Sequence, residues 1–354
     1  MGLRKRTRRL TRHTGASLRY WRYRLGGGRP DETNCQFVGS HGLKKICDYW
    51  HPREKPPSAE QLEKLIQNGG SPPKIHLRAN HLHTFADRIR ERFDSEYILV
   101  TGCTDGEIST TDIEMNLLME LLEDTKLLAW FGQNCNIDHP KLHRLPIGLD
   151  YHTLSSGPRF RPWGYFASPV AQERSLNETR RGAPPLREKS VRAYCNWHHI
   201  LSRGDRLRCI NSVAYDTIHL EQLNIERILT WRNNTKHLFT ISPFGEGLDC
   251  HRTWEAILLG SVPIVPRSGI SPLFAKLPVC IVDDWSEVTP GYLEQKREWV
   301  LETEFDFAPL YLDWWRKRLV GASGLPERLQ TFQSFVDTAH TPLGNSTHQT
   351  VRVA

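Results

Sequence analysis

Two glycines, an arginine and a glutamate lie close together where one predicted strand joins a predicted helix. Residues 242–266 read SPFGEGLDCHRTWEAILLGSVPIVP, which predicts a strand end, a loop, a helix from about Cys250 to Gly260 and another strand. Arg252 and Glu255 are three residues apart and therefore share one face of this helix near its N-terminus. An arginine fork suits a phosphate, and a carboxylate can accept hydrogen bonds from two sugar hydroxyls. The spacing is therefore consistent with a site for the diphosphate and ribose of a nucleotide.

The loop before this helix favours the same interpretation. Gly245 and Gly247 permit positive φ and close backbone approach, and the N–H groups of a first helical turn attract anions. Asp249 is the predicted N-cap, and Ser242 at the strand end is assigned with these residues to donor binding. The simpler alternative is an ordinary strand-to-helix turn with a modest surface ion pair. Local chemistry alone leaves both interpretations open.

A second polar stretch, YCNWHHILSRGDRLRC at 194–209, follows another predicted strand. Side chains just past the end of that strand are further candidate phosphate contacts: Asn196, Arg203 and Arg206. His198 and His199 raise the question of a metal, but adjacent side chains are expected to point apart. The eight cysteines include no C-x-x-C pair. We therefore predict no metal site and no cofactor beyond the substrate.

Candidate catalytic bases follow two strands of the first half. VTGCTDGEIS at 100–109 places Asp105 and Glu107, and PIGLDYHT at 146–153 places Asp150 and His152, in loops that should open on a cleft. If a bound nucleotide is the leaving group of a transfer reaction, inversion of configuration needs such a base, and Asp105 is ranked first and Asp150 second. Turn and capping roles are the alternative for both, and a retaining reaction needs neither. Arg252 is the candidate for stabilising the departing diphosphate.

These residues require α/β elements to position them. Apolar runs predicted as strands alternate with segments of helical period, the pattern of parallel sheets covered by helices. Predicted strands lie at 97–102, 127–132, 143–150, 191–197, 236–243 and 277–285, and predicted helices at 112–124 and 310–320. The fold class is therefore α/β, with two domains and a cleft between them.

The predicted organisation has five parts. They are a basic, disordered tail (1–29), an acceptor-side α/β domain (30–155), a linker rich in Pro, Gly and Arg (156–190), a nucleotide-binding α/β domain (191–325) and a C-terminal extension (326–354). The last predicted helix of the second domain, at 310–320, can pack against the first domain.

The net charge of +7 belongs to the tail. Residues 1–29 hold ten Lys or Arg and no acid, so the remainder has 37 basic and 40 acidic side chains. We therefore expect no nucleic-acid partner. SLRYWRYRL at 17–25 suits contact with an anionic membrane or an acid-poor targeting peptide. No apolar run is long enough to span a bilayer, and no signal sequence is seen. The expected location is cytoplasmic or peripheral to a membrane.

The stretch at 242–266 resembles the C-terminal motif of exostosin-like glycosyltransferases, in particular the ribitol xylosyltransferase type. The shared pattern is P-x-G-x-G-x-D-x-x-R-x-x-E-A-x-x-x-G-x-x-P-[IV], carried by Pro243, Gly245, Gly247, Asp249, Arg252, Glu255, Ala256, Gly260 and Pro263. The resemblance implies a GT-B enzyme with two Rossmann-like domains and a nucleotide-sugar donor, foremost a UDP-sugar, in the second. It also implies that Arg252 contacts the diphosphate and Glu255 the ribose or sugar hydroxyls.

The function implied is transfer of a sugar to a hydroxyl of a glycan or glycoconjugate. One alternative is another GT-B class such as a fucosyltransferase. The other is a non-catalytic protein that binds sugar nucleotides or glycans on the same fold.

Overall fold

Two parallel sheets organise the chain, as the buried apolar runs predict. The structure, a computed structural model, describes residues 2–67, 72–92, 95–321 and 325–340. Within these ranges the first sheet has the order β1-β2-β3-β4 and the second the order β11-β10-β9-β7-β8. The mixed α/β class is therefore confirmed.

The first sheet contains β1 (Lys74–Leu77), β2 (Tyr97–Thr101), β3 (Leu127–Gly132) and β4 (Leu142–Arg144). The helices of this part of the chain are α1 (Gly2–Leu25), α2 (Ser40–Lys45), α3 (Ala59–Gln67), α4 (Leu82–Arg92), α5 (Met115–Glu123) and α6 (His152–Ser155). Every residue of β1 and β2 is buried, because helices cover both faces of a parallel sheet. The predicted helix at 112–124 is α5, which begins three residues later.

The second sheet contains β7 (Ala193–Cys195), β8 (Ile218–Leu220), β9 (Phe239–Ile241), β10 (Val262–Pro266) and β11 (Cys280–Val282). It is accompanied by α8 (Arg206–Ser212), α9 (Arg227–Asn234), α10 (His251–Leu258), α11 (Pro290–Glu302) and α12 (Leu312–Arg318). From β7 the chain continues to β8 at one edge of the sheet, and from β9 it continues through β10 to β11 at the other edge. The direction in which successive strands are added therefore reverses between β7 and β9. Such a reversal opens a crevice at the carboxyl ends of the two strands.

The predicted linker at 156–190 is structured, which corrects that expectation. It contains a hairpin of β5 (Arg159–Phe160) and β6 (Gly164–Tyr165), followed by the 13-residue α7 (Pro169–Arg181). Ser168 caps α7 and Pro169 opens it. The apolar periodicity of α7 is weak because the buried face of this helix is mostly polar, with Gln172, Thr179 and Arg180 beside Leu176.

The basic tail is also ordered where it is described, contrary to the expectation of disorder. It forms the 24-residue helix α1, and the rings of Tyr20 and Tyr23 each pack 5.3 Å from the ring of Phe166, just after the hairpin. Aromatic contacts of this kind stabilise the C-terminal part of α1 against the protein.

The C-terminal region connects both sheets. Leu312 and Trp315 of α12 are buried in one apolar cluster with Val100 and Phe131 of the first sheet. The predicted extension continues as β13 (Leu329–Thr331), paired with β12 (Glu304–Asp306), and α13 (Phe332–Asp337), which packs into the core of the second sheet. Its last part, 341–354, lies outside the described residues.

No helix in the described ranges combines the length and apolarity that crossing a membrane requires.

Candidate functional site

A cavity of about 370 Å³ lies in the crevice between β7 and β9. Asn196 and Trp197, just past β7, line it together with His251, Arg252 and Glu255 of α10. Part of its wall is Phe160 to Trp163 of the hairpin, in the region expected to be a linker. The remaining lining residues come from the segments after β7 and β8, so none belongs to the predicted first domain, 30–155. The cavity is thus a site of the second sheet.

Arg252 is held at the start of α10 by the strand that precedes the helix. Its Nε donates to Ser242 Oγ at 3.0 Å, and its Nη2 donates to the carbonyl of Pro243. Ser242 is buried and also bonds Thr253 Oγ1 at 2.8 Å. Ser242 therefore orients the arginine, and Nη1 makes no hydrogen bond to another described residue. A fixed fork with free donors is suited to an oxyanion.

Glu255 shares the cavity with Arg252, but its carboxylate is already bonded. Oε1 accepts from Arg227 Nη2, and Oε2 accepts from Trp231 Nε1 at 2.8 Å. Arg227 is 3% exposed and also donates to the carbonyl of Asp150 and to Gln172. Burial would lower the pKa of Arg227, but the charge of Glu255 raises it. Glu255 thus holds a buried ion pair at the cavity wall.

Arg206 brings a second positive charge to the cavity. It is buried, its Nη1 donates to the carbonyl of Ile200 at 3.1 Å, and its Nε has no hydrogen-bond partner. Burial and the neighbouring charge of Arg252 lower the pKa of Arg206 to about 10. Arg203 is more exposed and pairs with Glu246 at 2.8 Å. Of these residues, Arg206 and Arg252 are the cations best placed for an anion.

Gly245 and Gly247, the two glycines of the loop before α10, do not have the expected conformation. Neither Gly245 nor Gly247 has positive φ, and the left-handed residue of the site is Gly204 at φ +52°. A Cβ on Gly204 would lie 2.5 Å from the carbonyl oxygen of Gly245, so the loops after β7 and β9 touch there. A Cβ on Gly247 would meet Asn134 at 2.8 Å and the carbonyl of Asp105 at 2.9 Å. Gly247 therefore permits contact with the first sheet's loops.

Asp249 is not the N-cap of α10, which corrects the sequence prediction. The cap position is Cys250, which makes no side-chain cap bond. Asp249 is buried and accepts from the backbone N–H of Ile147 at 2.7 Å and from Trp254 Nε1 at 2.9 Å. Burial raises the pKa of Asp249 to about 6. It joins α10 to the loop after β4 and does not reach the cavity.

The two candidate bases lie outside the cavity as well. Asp105 is exposed in the loop after β2, and its carbonyl faces Gly247 and Asn134. Asp150 is buried, accepts from the N–H of Thr153 at 2.9 Å and lies 3.4 Å from Nδ1 of His152. Burial would raise the pKa of Asp150, but the charge of Arg227 holds it well below its usual range.

A row of imidazoles extends from the cavity toward the first sheet. His251 lines the cavity, its ring centroid is 5.5 Å from that of His152, and His152 is 4.8 Å from His41. His251 Nδ1 bonds the carbonyl of Gly148 at 2.7 Å. Burial lowers the pKa of His152 even though Asp150 raises it. A carboxylate thus lies beside an imidazole whose pKa is lowered, and the His152 side chain is 37% exposed, although its Nδ1 makes no hydrogen bond to a described residue.

Within the described residues, three sets of side chains could hold a metal ion, with ligand atoms within 4.8 Å of one another. They are Glu32, His41 and His152; His41, Glu54 and Cys103; and Asp150, His152 and His251. His198 and His199 belong to none of them. Their rings are in contact, with centroids 4.2 Å apart, because they stand in a turn rather than a strand.

Several residues of the site are not indicated by the sequence pattern. Arg227 lies on α9, 28 residues before its partner Glu255, and Trp163 lies in the supposed linker, its ring 5.9 Å from the Arg227 guanidinium. His152 was visible beside Asp150, but the row with His41 and His251 depends on tertiary contacts.

No protein-family model matches this chain, and no curated protein sequence matches it.

Proposed function

We propose that the chain is a glycosyltransferase of GT-B architecture that binds a nucleoside diphosphate sugar in the cavity between β7 and β9. The observation that carries the proposal is the pair of arginines, Arg206 and Arg252, in one cavity at the reversal point of a parallel sheet. Two neighbouring guanidinium groups repel each other unless an anion lies between them. A diphosphate supplies that charge, and the N-terminus of α10 adds its dipole.

The cavity wall supports a sugar and base beside the diphosphate. Phe160 and Trp163 of the hairpin are 47% and 41% exposed, and such rings stack on bases and sugars. Asn196 and Thr230 add polar groups at the same wall. The resemblance of 242–266 to exostosin-like glycosyltransferases points to the same ligand class, with a UDP-sugar as the leading donor.

For an inverting transfer, we assign the base to His152, which does not line the cavity itself but lies 5.5 Å, ring to ring, from His251, which does. Asp150 then has a positioning role, in place of a base at Asp105 or Asp150. With Nδ1 toward Asp150, the Nε2 of the neutral imidazole can take the proton of the acceptor hydroxyl. The hydroxyl oxygen then forms the bond to the anomeric carbon, and the bond to the diphosphate breaks. The diphosphate leaves with the electron pair, stabilised by Arg252. Since the pKa of His152 is lowered, kcat/KM should fall only below about pH 6.5.

Calorimetric titration with UDP, GDP and their sugars tests the ligand. Saturable binding of one nucleotide is expected, together with hydrolysis or transfer of the sugar. Arg252→Ala should weaken the binding, whereas Arg232→Ala, an exposed arginine of α9, should not. Absence of nucleotide binding would overturn the proposal, and binding without turnover would favour the non-catalytic alternative. Activity lost with EDTA and restored by manganese would move the site to the metal-compatible sets around His152.

A further inference from the structure

A second cavity, of about 380 Å³, lies between α7, β13 and Tyr311. Arg180, which lines the cavity, donates to the carbonyl of Phe335 on α13. Val336 on the same helix lies against Gly260. Gly260 joins the end of α10 to the beginning of β10. This cavity therefore lies at the amino end of the second sheet, opposite the crevice at the carboxyl ends, and is separate from the proposed donor site.

Among the described residues that line this cavity there is no carboxylate, and three are arginines: Arg180, Arg181 and Arg328. Within the part of the chain that the structure describes, none of the three forms an ion pair. Glu173 lies nearby, but its oxygens accept from the backbone N–H groups of Gln36 at 2.9 Å and Phe37 at 3.0 Å. Glu173 therefore interacts with Arg180 through its charge without forming an ion pair, and the described lining of the cavity is positively charged.

The three guanidinium groups are held in different ways. Arg180 is only 2% exposed, and its Nη1 and Nη2 donate to Asn177 at 3.1 Å and to Phe335 at 3.0 Å. Its Nε has no partner. The guanidinium of Arg328 lies 3.8 Å from the ring centroid of Tyr311, and Arg181 is exposed at the rim. A stacked guanidinium loses little further freedom when its fork binds an oxyanion.

We propose that this cavity binds a small molecule bearing phosphate or sulfate groups, held by Arg180, Arg181 and Arg328. Burying an arginine without an ion-pair partner is costly, and the charge of a bound oxyanion offsets that cost. The forks of the exposed Arg181 and Arg328 supply the direct contacts. Asn177 and Gln330 offer neutral polar contacts to the rest of such a ligand. The volume suits a phosphorylated or sulfated sugar rather than a polymer.

Titration calorimetry with glucose 6-phosphate tests this site in an Arg252→Ala protein, which removes the main anion contact of the donor cavity. Saturable binding is expected, with none for glucose. Inorganic sulfate should compete. Replacing both Arg181 and Arg328 by Gln should weaken binding by about tenfold or more. Arg174→Gln is the matched control, since Arg174 is exposed on α7 but does not line the cavity.

Three results would overturn the proposal: no saturable binding, binding unchanged in the double variant, or an equal loss in Arg174→Gln, which would indicate general surface charge. Melting temperatures of the unliganded proteins guard against a folding defect. Arg328→Lys keeps the charge but removes the fork, and it should also weaken binding. If the double variant does not fold, unchanged binding in Arg328→Lys counts against the site. If the protein failed to bind nucleotides but bound glucose 6-phosphate as expected, only the proposal for the donor cavity would fail.

Discussion

At the scale of single residues, Arg252 has a role that can be separated from stability. Its side chain is partly exposed in the cavity, and its bonds to Ser242 and Pro243 orient it without carrying a core contact. Arg252→Ala should therefore weaken nucleotide binding by about 1.5–3 kcal/mol and lower turnover. The melting temperature should stay nearly constant. Calorimetry beside melting curves measures both, and a protein that is merely unstable would contradict the role.

Glu255 should behave in the opposite way. Replacing it by Gln leaves Arg227 buried without its ion-pair partner, although the charge of Asp150 remains nearby, and such a defect typically costs about 3–5 kcal/mol of unfolding free energy. Urea denaturation measures this loss. Glu246→Gln is the control, because its pair with Arg203 is about half exposed and should contribute less than about 1 kcal/mol. Unchanged stability in Glu255→Gln, with weakened nucleotide binding, would restore the role expected from the sequence.

At the scale of elements, the loops after β7 and β9 form one wall by direct backbone contact. Gly204 is the contact point. Its φ is +52°, and the carbonyl oxygen of Gly245 lies only 2.5 Å from the position that a Cβ would occupy. Gly204→Ala should cost about 1–3 kcal/mol of stability and displace Arg203 and Arg206, which weakens nucleotide binding. Gly157→Ala is the control, since nothing lies within 4 Å of its Cβ position. Equal effects of the two changes would show that the contact does not matter.

The hairpin and α7 show why a segment without periodicity is still an element of the site. Trp163 lies beside Arg227, and Gln172 of α7 accepts from the same guanidinium at 2.9 Å. These contacts are polar or aromatic, so they leave no apolar repeat in the sequence. A composition rich in Pro, Gly and Arg indicates a linker only when nothing buries those residues.

At the scale of the whole molecule, α1 presents two different faces. Tyr20 and Tyr23 pack on the protein, whereas Leu18, Trp21 and Leu25 are 67%, 57% and 84% exposed at helical spacing. Basic side chains lie between these residues, so the outer stripe suits an anionic lipid surface.

We therefore expect the protein to co-sediment with vesicles that contain phosphatidylserine and not with vesicles of phosphatidylcholine alone. Replacing Trp21 and Leu25 by Ala should weaken that binding by about tenfold, because two apolar side chains leave the membrane interface. Leu207→Ala, at an exposed position of α8, should have no effect. Equal binding by the double variant would exclude the stripe as the contact.

The sequence by itself determined the features that depend on local pattern. Buried apolar runs predicted the strands of two parallel sheets, and the three-residue spacing placed Arg252 and Glu255 on one face of α10. Such features follow from the spacing of apolar and polar residues within each segment, because that spacing determines which side chains share a face of a helix or strand.

Only the tertiary structure decided which partner each polar group takes. Glu255 pairs with Arg227 across 28 residues, and Asp249 reaches Ile147 across 102. Gly204, rather than Gly245 or Gly247, adopts the left-handed conformation. A polar residue has many possible partners, and the packing of distant segments selects one, so no local pattern records the choice.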